Sequence, residues 1–85
     1  MEKIRRVIKQ YILNEFLFGA GPGALSDDTP LITGGLLDSI GIMKLVVFLE
    51  ETHGVEFEAH EVSADRMDTL DGIVRVVQAK IGDTA

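Results

Sequence analysis

The chain contains no cysteine, which excludes disulfide bonds and metal sites built on thiolates. It has only two histidines, so it also lacks any recognisable zinc-binding pattern. No apolar run approaches the length that a bilayer requires, and no cationic start leads into an apolar signal segment. We therefore expect an unprocessed, soluble, cytoplasmic protein with no membrane insertion.

Motifs of common enzyme classes are missing as well. Ser39 has no Gly-x-Ser-x-Gly elbow around it, and the glycines at positions 19, 21 and 23 follow a helical pattern rather than a strand. Asp27, Asp28 and Asp38 lack the alternating ligands and final glutamate of a calcium-binding EF-hand loop. We expect no catalytic residue and no metal site, and hence no enzyme.

Basic residues are in the minority. The chain has eight Lys and Arg residues and fourteen Asp and Glu residues, which gives a net charge of −6. Such a surface repels nucleic acid and favours encounter with basic protein surfaces. We expect no nucleic-acid partner. The basic cluster near the start of the chain is interpreted as a solvated helix face; it comprises Lys3, Arg5, Arg6 and Lys9.

The length of 85 residues allows one domain, residues 1–85, with a small core. Apolar residues recur at helical spacing from Glu2 to about Phe18, and we expect this helix to be the longest. A segment rich in glycine and proline, residues 19–23, then opens a long loop that reaches Leu37. Its apolar residues should anchor it on the core: Leu25, Leu31, Ile32 and Leu36.

A second helix is predicted from Ser39 or Ile40 to Thr52 or His53, with Gly54 as its left-handed cap. This helix carries more apolar residues than one buried face needs. Either neighbouring elements surround it on most sides, or part of its surface is offered to partners.

The C-terminal third predicts an extended link that buries Val55 and Phe57, then a short helix from Ala59 to about Arg66 with Val62 inward. A last helix follows. Its expected features are a cap at Thr69, an end at Gly82, and a cost of roughly 1 kcal/mol for glycine rather than alanine at Gly72. The expected fold is all-α: a small four-helix bundle with a long loop between helices 1 and 2 and a short third helix.

The stretch from Gly34 to Glu51 organises the chain. A glycine pair is followed by Asp38 and Ser39, and an apolar helical run begins directly behind them. The Ser39 hydroxyl should therefore lie at a helix N-terminus, where free amides and the helix dipole favour an anion. We interpret Ser39 as the attachment point of a phosphate ester. Capping by Asp38 or Ser39 is the structural alternative, and the two roles are compatible.

The segment from Leu36 to Ile40, Leu-Leu-Asp-Ser-Ile, followed by a helix ending Leu-Glu-Glu, resembles the phosphopantetheine attachment motif of acyl carrier proteins. The similarity covers nearly the full length of the chain, because the four expected helices and the long loop with Leu31 can also be laid on that family. It implies an acyl-carrier-type bundle that acts as a monomer, with 4′-phosphopantetheine attached covalently to Ser39.

The resemblance also implies a mechanism. A phosphopantetheinyl transferase would move the arm from coenzyme A to Ser39, with the divalent metal on the transferase. The arm's thiol would then carry acyl or aminoacyl cargo as a thioester between a loading ligase and downstream acyl-processing enzymes. Asp38 would help to present the serine, and Ile40, Met43 and Val47 on the second helix would form the recognition surface.

Two positions depart from carriers of fatty acid synthesis, which usually have acidic residues where this chain has Gly41 and Lys44. These departures favour a specialised acyl or aminoacyl cargo, as in stand-alone carriers of polyketide, nonribosomal peptide or D-alanyl pathways, over general fatty acid biosynthesis. The alternative function is an unmodified helical protein–protein interaction module that docks through helix 2, with Met43, Val47 and Phe48 as its patch.

Overall fold

The computed structural model describes residues 2–17 and 21–84. Four α-helices follow one another: α1 (Glu2–Phe16), α2 (Ser39–His53), α3 (Ala64–Met67) and α4 (Leu70–Thr84). Single 3₁₀ turns lie at Pro22–Ala24 and Ala59–Glu61, and the described residues form no strand. The prediction of a small all-helical bundle is confirmed. None of the described helices is long and apolar enough to cross a membrane.

The core lies where α1, α2 and α4 meet. Each of these helices contributes apolar residues at three- and four-residue spacing, which puts them on one face. Fully buried side chains include Ile8 and Ile12 from α1, Leu45 and Leu49 from α2, and Leu70, Ile73, Val74 and Val77 from α4. Leu25, Leu31 and Leu37 from the long loop complete this cluster, so two of the expected loop anchors are fully buried, while Ile32 and Leu36 are half-buried against it.

The lengths of the helices differ in part from the prediction. α1 ends at Phe16 and is no longer than α2 or α4, since each has 15 residues. The predicted end at Phe18 lies outside the described residues. The bounds predicted for α2 are confirmed, and Gly54 caps it with φ of 66° while its N–H donates to the carbonyl of Glu50.

The predicted third helix is broken. The backbone leaves helical geometry at Val62, with φ −94° and ψ 75°, and Ser63 is extended. This break lets the Val62 side chain turn toward the core, where it is half-buried. A 3₁₀ turn and the four-residue α3 therefore replace one continuous helix from Ala59 to Arg66.

The last helix begins as predicted but does not end at Gly82. The Thr69 hydroxyl accepts a hydrogen bond from the Gly72 N–H at 3.0 Å, so Thr69 is the N-cap. Gly82 does not adopt the left-handed conformation that ends helices, and α4 continues to Thr84. Glycine at position 72 was predicted to destabilise the helix, but the structure requires it, because a β-carbon there would collide with the carbonyl oxygen of Arg66.

The basic face of α1 also departs from the prediction, because Arg5 and Lys9 are half-buried rather than fully solvated. Arg5 is half-buried and its guanidinium bridges Asp27 of the loop, at 2.9 Å, and Asp71 of α4, at 3.2 Å. Both carboxylates raise the pKa of Arg5, with the Asp71 hydrogen bond as the largest cause. Arg5 thus joins three segments, while Lys3 and Arg6 are exposed as expected.

Candidate functional site

Backbone contacts fix the conformation of the loop that leads into α2. The Leu37 N–H donates to the Leu31 carbonyl at 2.9 Å, which closes a short turn between the two buried leucines. Gly35 has φ of 83°, a conformation that favours glycine. A β-carbon on Gly34 would collide with the Pro30 carbonyl oxygen. The glycine pair is therefore required by the geometry of the turn that delivers the Asp-Ser pair.

Asp38 is the N-cap of α2. Its backbone is extended and its Oδ1 atom accepts a hydrogen bond from the Gly41 N–H at 2.7 Å. Its carbonyl accepts the first helical bond, from the Ile42 N–H at 2.9 Å. Of the two predicted capping residues, the structure therefore selects Asp38.

Ser39 is the first residue of α2 and is exposed. Within the described residues its hydroxyl forms no hydrogen bond, so the oxygen is accessible to a reagent from solvent. Asp38 already occupies the Gly41 amide, so an anion on Ser39 would share this helix end with a carboxylate. With the Gly41 N–H already bound, fewer free amides remain for a phosphate on Ser39, so the electrostatic advantage of this helix end is smaller than the sequence predicts.

Among the described residues no histidine forms a hydrogen bond with Ser39, and the carboxylate of the adjacent Asp38 is bound to the Gly41 N–H. His53 lies at the opposite end of α2, about 20 Å away at 1.5 Å per residue. His60 is exposed in the turn before α3, 3.7 Å from Glu58. Across the described part of the chain, no cluster of three His, Asp or Glu residues could hold a metal ion.

The three residues predicted to recognise partners are large apolar side chains exposed on α2. Ile40 is 67% exposed, Met43 68% and Val47 48%, whereas the core positions of the same helix are buried. Ile40, Met43 and Val47 follow at three- and four-residue spacing, so they form one stripe. Of the two explanations for the apolar excess of α2, exposure therefore holds for this stripe.

A groove lies beside this stripe, between α1 and α2. Its volume is about 540 Å³, and its lining comprises Tyr11, Glu15, Ile40, Met43, Lys44, Val47, Phe48 and Glu51. The rings of Tyr11 and Phe48 stack with their centres 3.9 Å apart and their planes 14° apart. The Tyr11 hydroxyl donates to the Lys44 carbonyl at 3.2 Å. Sequence periodicity places Tyr11 only among the apolar residues of the first helix; its position in the groove depends on the approach of α1 and α2.

The two positions that depart from the fatty acid carrier pattern have different surroundings. Gly41 is buried, and a β-carbon there would lie 3.0 Å from a Phe16 ring carbon and 3.2 Å from the Asp38 carboxylate. Close approach of the Phe16 ring therefore explains Gly41 without reference to partners. Lys44 is exposed and forms no ion pair within the described residues, so its charge remains available at the surface.

Comparison with known proteins adds no assignment. A scan against protein-family models returns no match for this chain. A search of curated proteins likewise returns no match. The resemblance to acyl carrier proteins stays a prediction based on the motif and the order of the helices.

Proposed function

We propose that the chain is an acyl carrier protein that bears 4′-phosphopantetheine on Ser39 and catalyses no step itself. The observation that carries the proposal is the position of Ser39, whose exposed, unbonded hydroxyl opens α2 directly beside an exposed apolar stripe. The first feature makes the oxygen accessible to a transferase. The second provides a surface on which a transferase can dock while it reaches the serine.

The residues present fit the attachment of this arm. The Ser39 oxygen would attack the phosphorus of coenzyme A that bears pantetheine, forming a phosphodiester and releasing adenosine 3′,5′-bisphosphate. We expect the transferase to supply the base and also the divalent metal, the latter as the resemblance to carrier proteins implies. Asp38 would keep the first turn in place through its bond to the Gly41 N–H. When bound, the arm supplies the thiol that this chain lacks and so carries cargo as a thioester.

A carrier of this kind acts by keeping its cargo tethered to the protein. Cargo tethered to Ser39 is presented to successive enzymes at a high effective concentration, without release into bulk water. The proposed partners are a phosphopantetheinyl transferase, a ligase that loads acyl or aminoacyl groups, and enzymes that process the loaded group. Ile40, Met43 and Val47 are proposed as the surface that these enzymes contact, because exposed apolar stripes of this kind mark interaction sites.

The test is the intact mass of the protein after incubation with coenzyme A, magnesium and a broad-specificity phosphopantetheinyl transferase. We expect a gain of one phosphopantetheine, absent in Ser39→Ala. The two other serines of the chain provide matched controls, and Ser26→Ala and Ser63→Ala should be modified like the parent protein. Circular dichroism of each variant shows that the protein used is folded.

A second function is favoured by the same apolar stripe. An unmodified interaction module would dock through Ile40, Met43 and Val47 and would need no chemistry at Ser39. This alternative predicts no mass gain in a folded sample, and partner binding that survives Ser39→Ala but is lost in Met43→Asp. The carrier proposal has the advantage that it also accounts for an accessible serine held at the start of this helix.

A further inference from the structure

Methionine supplies all of the sulfur in this chain, which has three methionines and no cysteine. The two methionines that the structure describes have opposite environments. Met43 is 68% exposed on α2, whereas Met67 is 1% exposed in the core. Hydroperoxides oxidise thioether sulfur to the sulfoxide, and the reaction requires access to the sulfur. Met43 is therefore the methionine of this pair that an oxidant in solution can reach.

Met43 lies one helical turn after Ser39. Residues four positions apart on a helix are neighbours on its surface, with about 5–6 Å between their Cβ atoms. Met43 is also the middle member of the exposed apolar stripe that it forms with Ile40 and Val47. An enzyme that reaches the Ser39 hydroxyl and docks on this stripe therefore covers the Met43 side chain.

We propose that Met43 is an oxidation switch: the thioether allows partner enzymes to dock beside Ser39, and the sulfoxide prevents it. The inference rests on the proposed function, because the partner whose docking is controlled is the phosphopantetheinyl transferase.

The oxidation is a transfer of one oxygen atom from a hydroperoxide. A lone pair of the Met43 sulfur attacks the terminal peroxide oxygen, so an S–O bond forms and the O–O bond breaks. The sulfur loses two electrons and the peroxide is reduced. The proton on the transferred oxygen passes to the departing oxygen, which leaves as water or an alcohol. Sulfoxide reductases restore the thioether, so the change is reversible.

The sulfoxide makes the centre of the apolar stripe polar without adding charge. Its oxygen accepts hydrogen bonds, and an acceptor that is buried without a donor costs free energy. Ile40 and Val47 have no donor in their side chains, so an enzyme surface that fits this apolar stripe leaves the oxygen unpaired. In the unbound protein the oxygen remains in water, because Met43 is exposed. Oxidation therefore weakens docking and leaves the fold intact.

The test compares arm attachment before and after oxidation. The full chain without its arm, which has no competing thiol, is treated with hydrogen peroxide and desalted. It is then given to the transferase with coenzyme A and magnesium. Peptide mapping by mass spectrometry locates the added oxygen, which we expect on Met43 and not on Met67. We expect kcat/KM for arm attachment to fall about tenfold or more, with an unchanged circular dichroism spectrum. Treatment with both stereospecific methionine sulfoxide reductases should restore the rate.

Two variants locate the effect, and each is judged by its treated rate relative to its own untreated rate. Met43→Leu removes the sulfur and keeps an apolar side chain of similar volume, so we expect no loss on treatment. Met67→Leu conserves volume in the core and should show the same loss as the parent protein. Met1 lies outside the described residues and is present in both variants, so its oxidation cannot account for a difference between them.

Each other outcome has a defined meaning. An equal loss in treated Met43→Leu would overturn the assignment to Met43. Full arm attachment to protein that has the sulfoxide at Met43 would overturn the switch, as would oxidation of Met67 before Met43 or unfolding on treatment. An untreated protein that gains no arm would instead refute the proposed function, and this result is obtained before any oxidation.

Discussion

Asp68 holds Thr33 through both of its carboxylate oxygens. Oδ1 accepts the Thr33 N–H at 2.8 Å, and Oδ2 accepts the Thr33 hydroxyl at 2.7 Å. The Ile32 N–H donates to Oδ1 as well, at 2.8 Å, and the Asp68 carbonyl accepts the Leu31 N–H. One residue between α3 and α4 thus anchors the loop that leads to Ser39.

Removing this anchor should loosen the loop and destabilise the fold. We expect Asp68→Asn to lower the melting temperature, because an amide cannot accept bonds on both sides as the carboxylate does. Thr33→Val should lower it less, since the two backbone donors remain. Thermal unfolding followed by circular dichroism measures both effects. An Asp68→Asn protein as stable as the parent would contradict the anchoring role.

Because of this anchor, the free energy of unfolding should depend on pH in the acidic range. The hydrogen bonds from Thr33 are the largest cause that lowers the pKa of Asp68, and those from Ile32 and Leu31 add to it. Because the folded pKa is depressed, the stabilisation is complete above the unfolded pKa, about 3.9 for aspartate, and is lost as pH falls through the folded pKa. We expect Asp68→Asn to remove this part of the acid dependence. Denaturant unfolding between pH 5 and 2 in both proteins is the measurement.

His53 should produce a separate dependence nearer to neutral pH. Burial lowers the pKa of this half-buried imidazole, so the unfolded chain binds a proton more tightly than the folded protein does. The contribution of neutral His53 to the free energy of unfolding is therefore complete above the unfolded pKa of about 6.5, and it declines as pH falls toward the folded pKa. NMR titration of the His53 ring should give a midpoint below that of an unfolded peptide. His53→Gln should flatten the stability profile in this window, and an unchanged profile would argue against the burial effect.

Gly72 and Gly82 lie in the same helix and should respond oppositely to alanine. A β-carbon on Gly72 meets the Arg66 carbonyl oxygen, whereas one on Gly82 meets nothing within 4 Å. We expect Gly72→Ala to destabilise the protein by about 1–3 kcal/mol through the forced shift of backbone. Gly82→Ala should be neutral or stabilising by up to about 1 kcal/mol, as helix propensity dictates. Chemical denaturation measures both, and a stabilising Gly72→Ala would contradict the close contact between α3 and α4.

Asp38 and Ser39 are adjacent yet should differ in their effect on stability. Asp38→Ala removes the bond to the Gly41 N–H, and loss of such a cap costs about 1 kcal/mol, or a fall in melting temperature of about 4–8 °C. Ser39→Ala should change stability little, because its exposed hydroxyl has no partner within the described residues. Differential scanning calorimetry of the two variants tests this. A large loss in Ser39→Ala would indicate a structural role for that hydroxyl.

Lys44 should influence which enzymes accept the carrier, if Ser39 bears the arm as proposed. Lys44→Glu restores the acidic residue usual at this position in fatty acid carriers, and we expect it to raise turnover by fatty acid synthase enzymes. Lys44→Gln separates loss of the cation from gain of the acid. Gly41→Asp is a poor companion change, because its β-carbon would crowd Phe16. Equal rates for the three forms would show that charge at Lys44 does not select partners.

Local sequence patterns were sufficient to predict the helical elements near the candidate site. The bounds of α2, the glycine cap at Gly54 and the threonine cap at Thr69 follow from local periodicity and cap chemistry, and the structure contains all three. The position of Ser39 at the start of this helix follows from the same local rules. These features depend on residues within a few positions of each other, so they can be predicted from the sequence.

Features that depend on residues far apart in the chain could be seen only in the folded structure. Asp68 meets Thr33 across 35 positions, Tyr11 donates to Lys44 across 33, and Arg5 meets Asp71 across 66. The need for glycine at Gly72 likewise arises from the approach of Arg66, which reverses its expected cost. Spacing along a chain contains no information on such pairs, because they form only when buried apolar faces bring the helices together. The groove beside Ser39 is one product of that assembly.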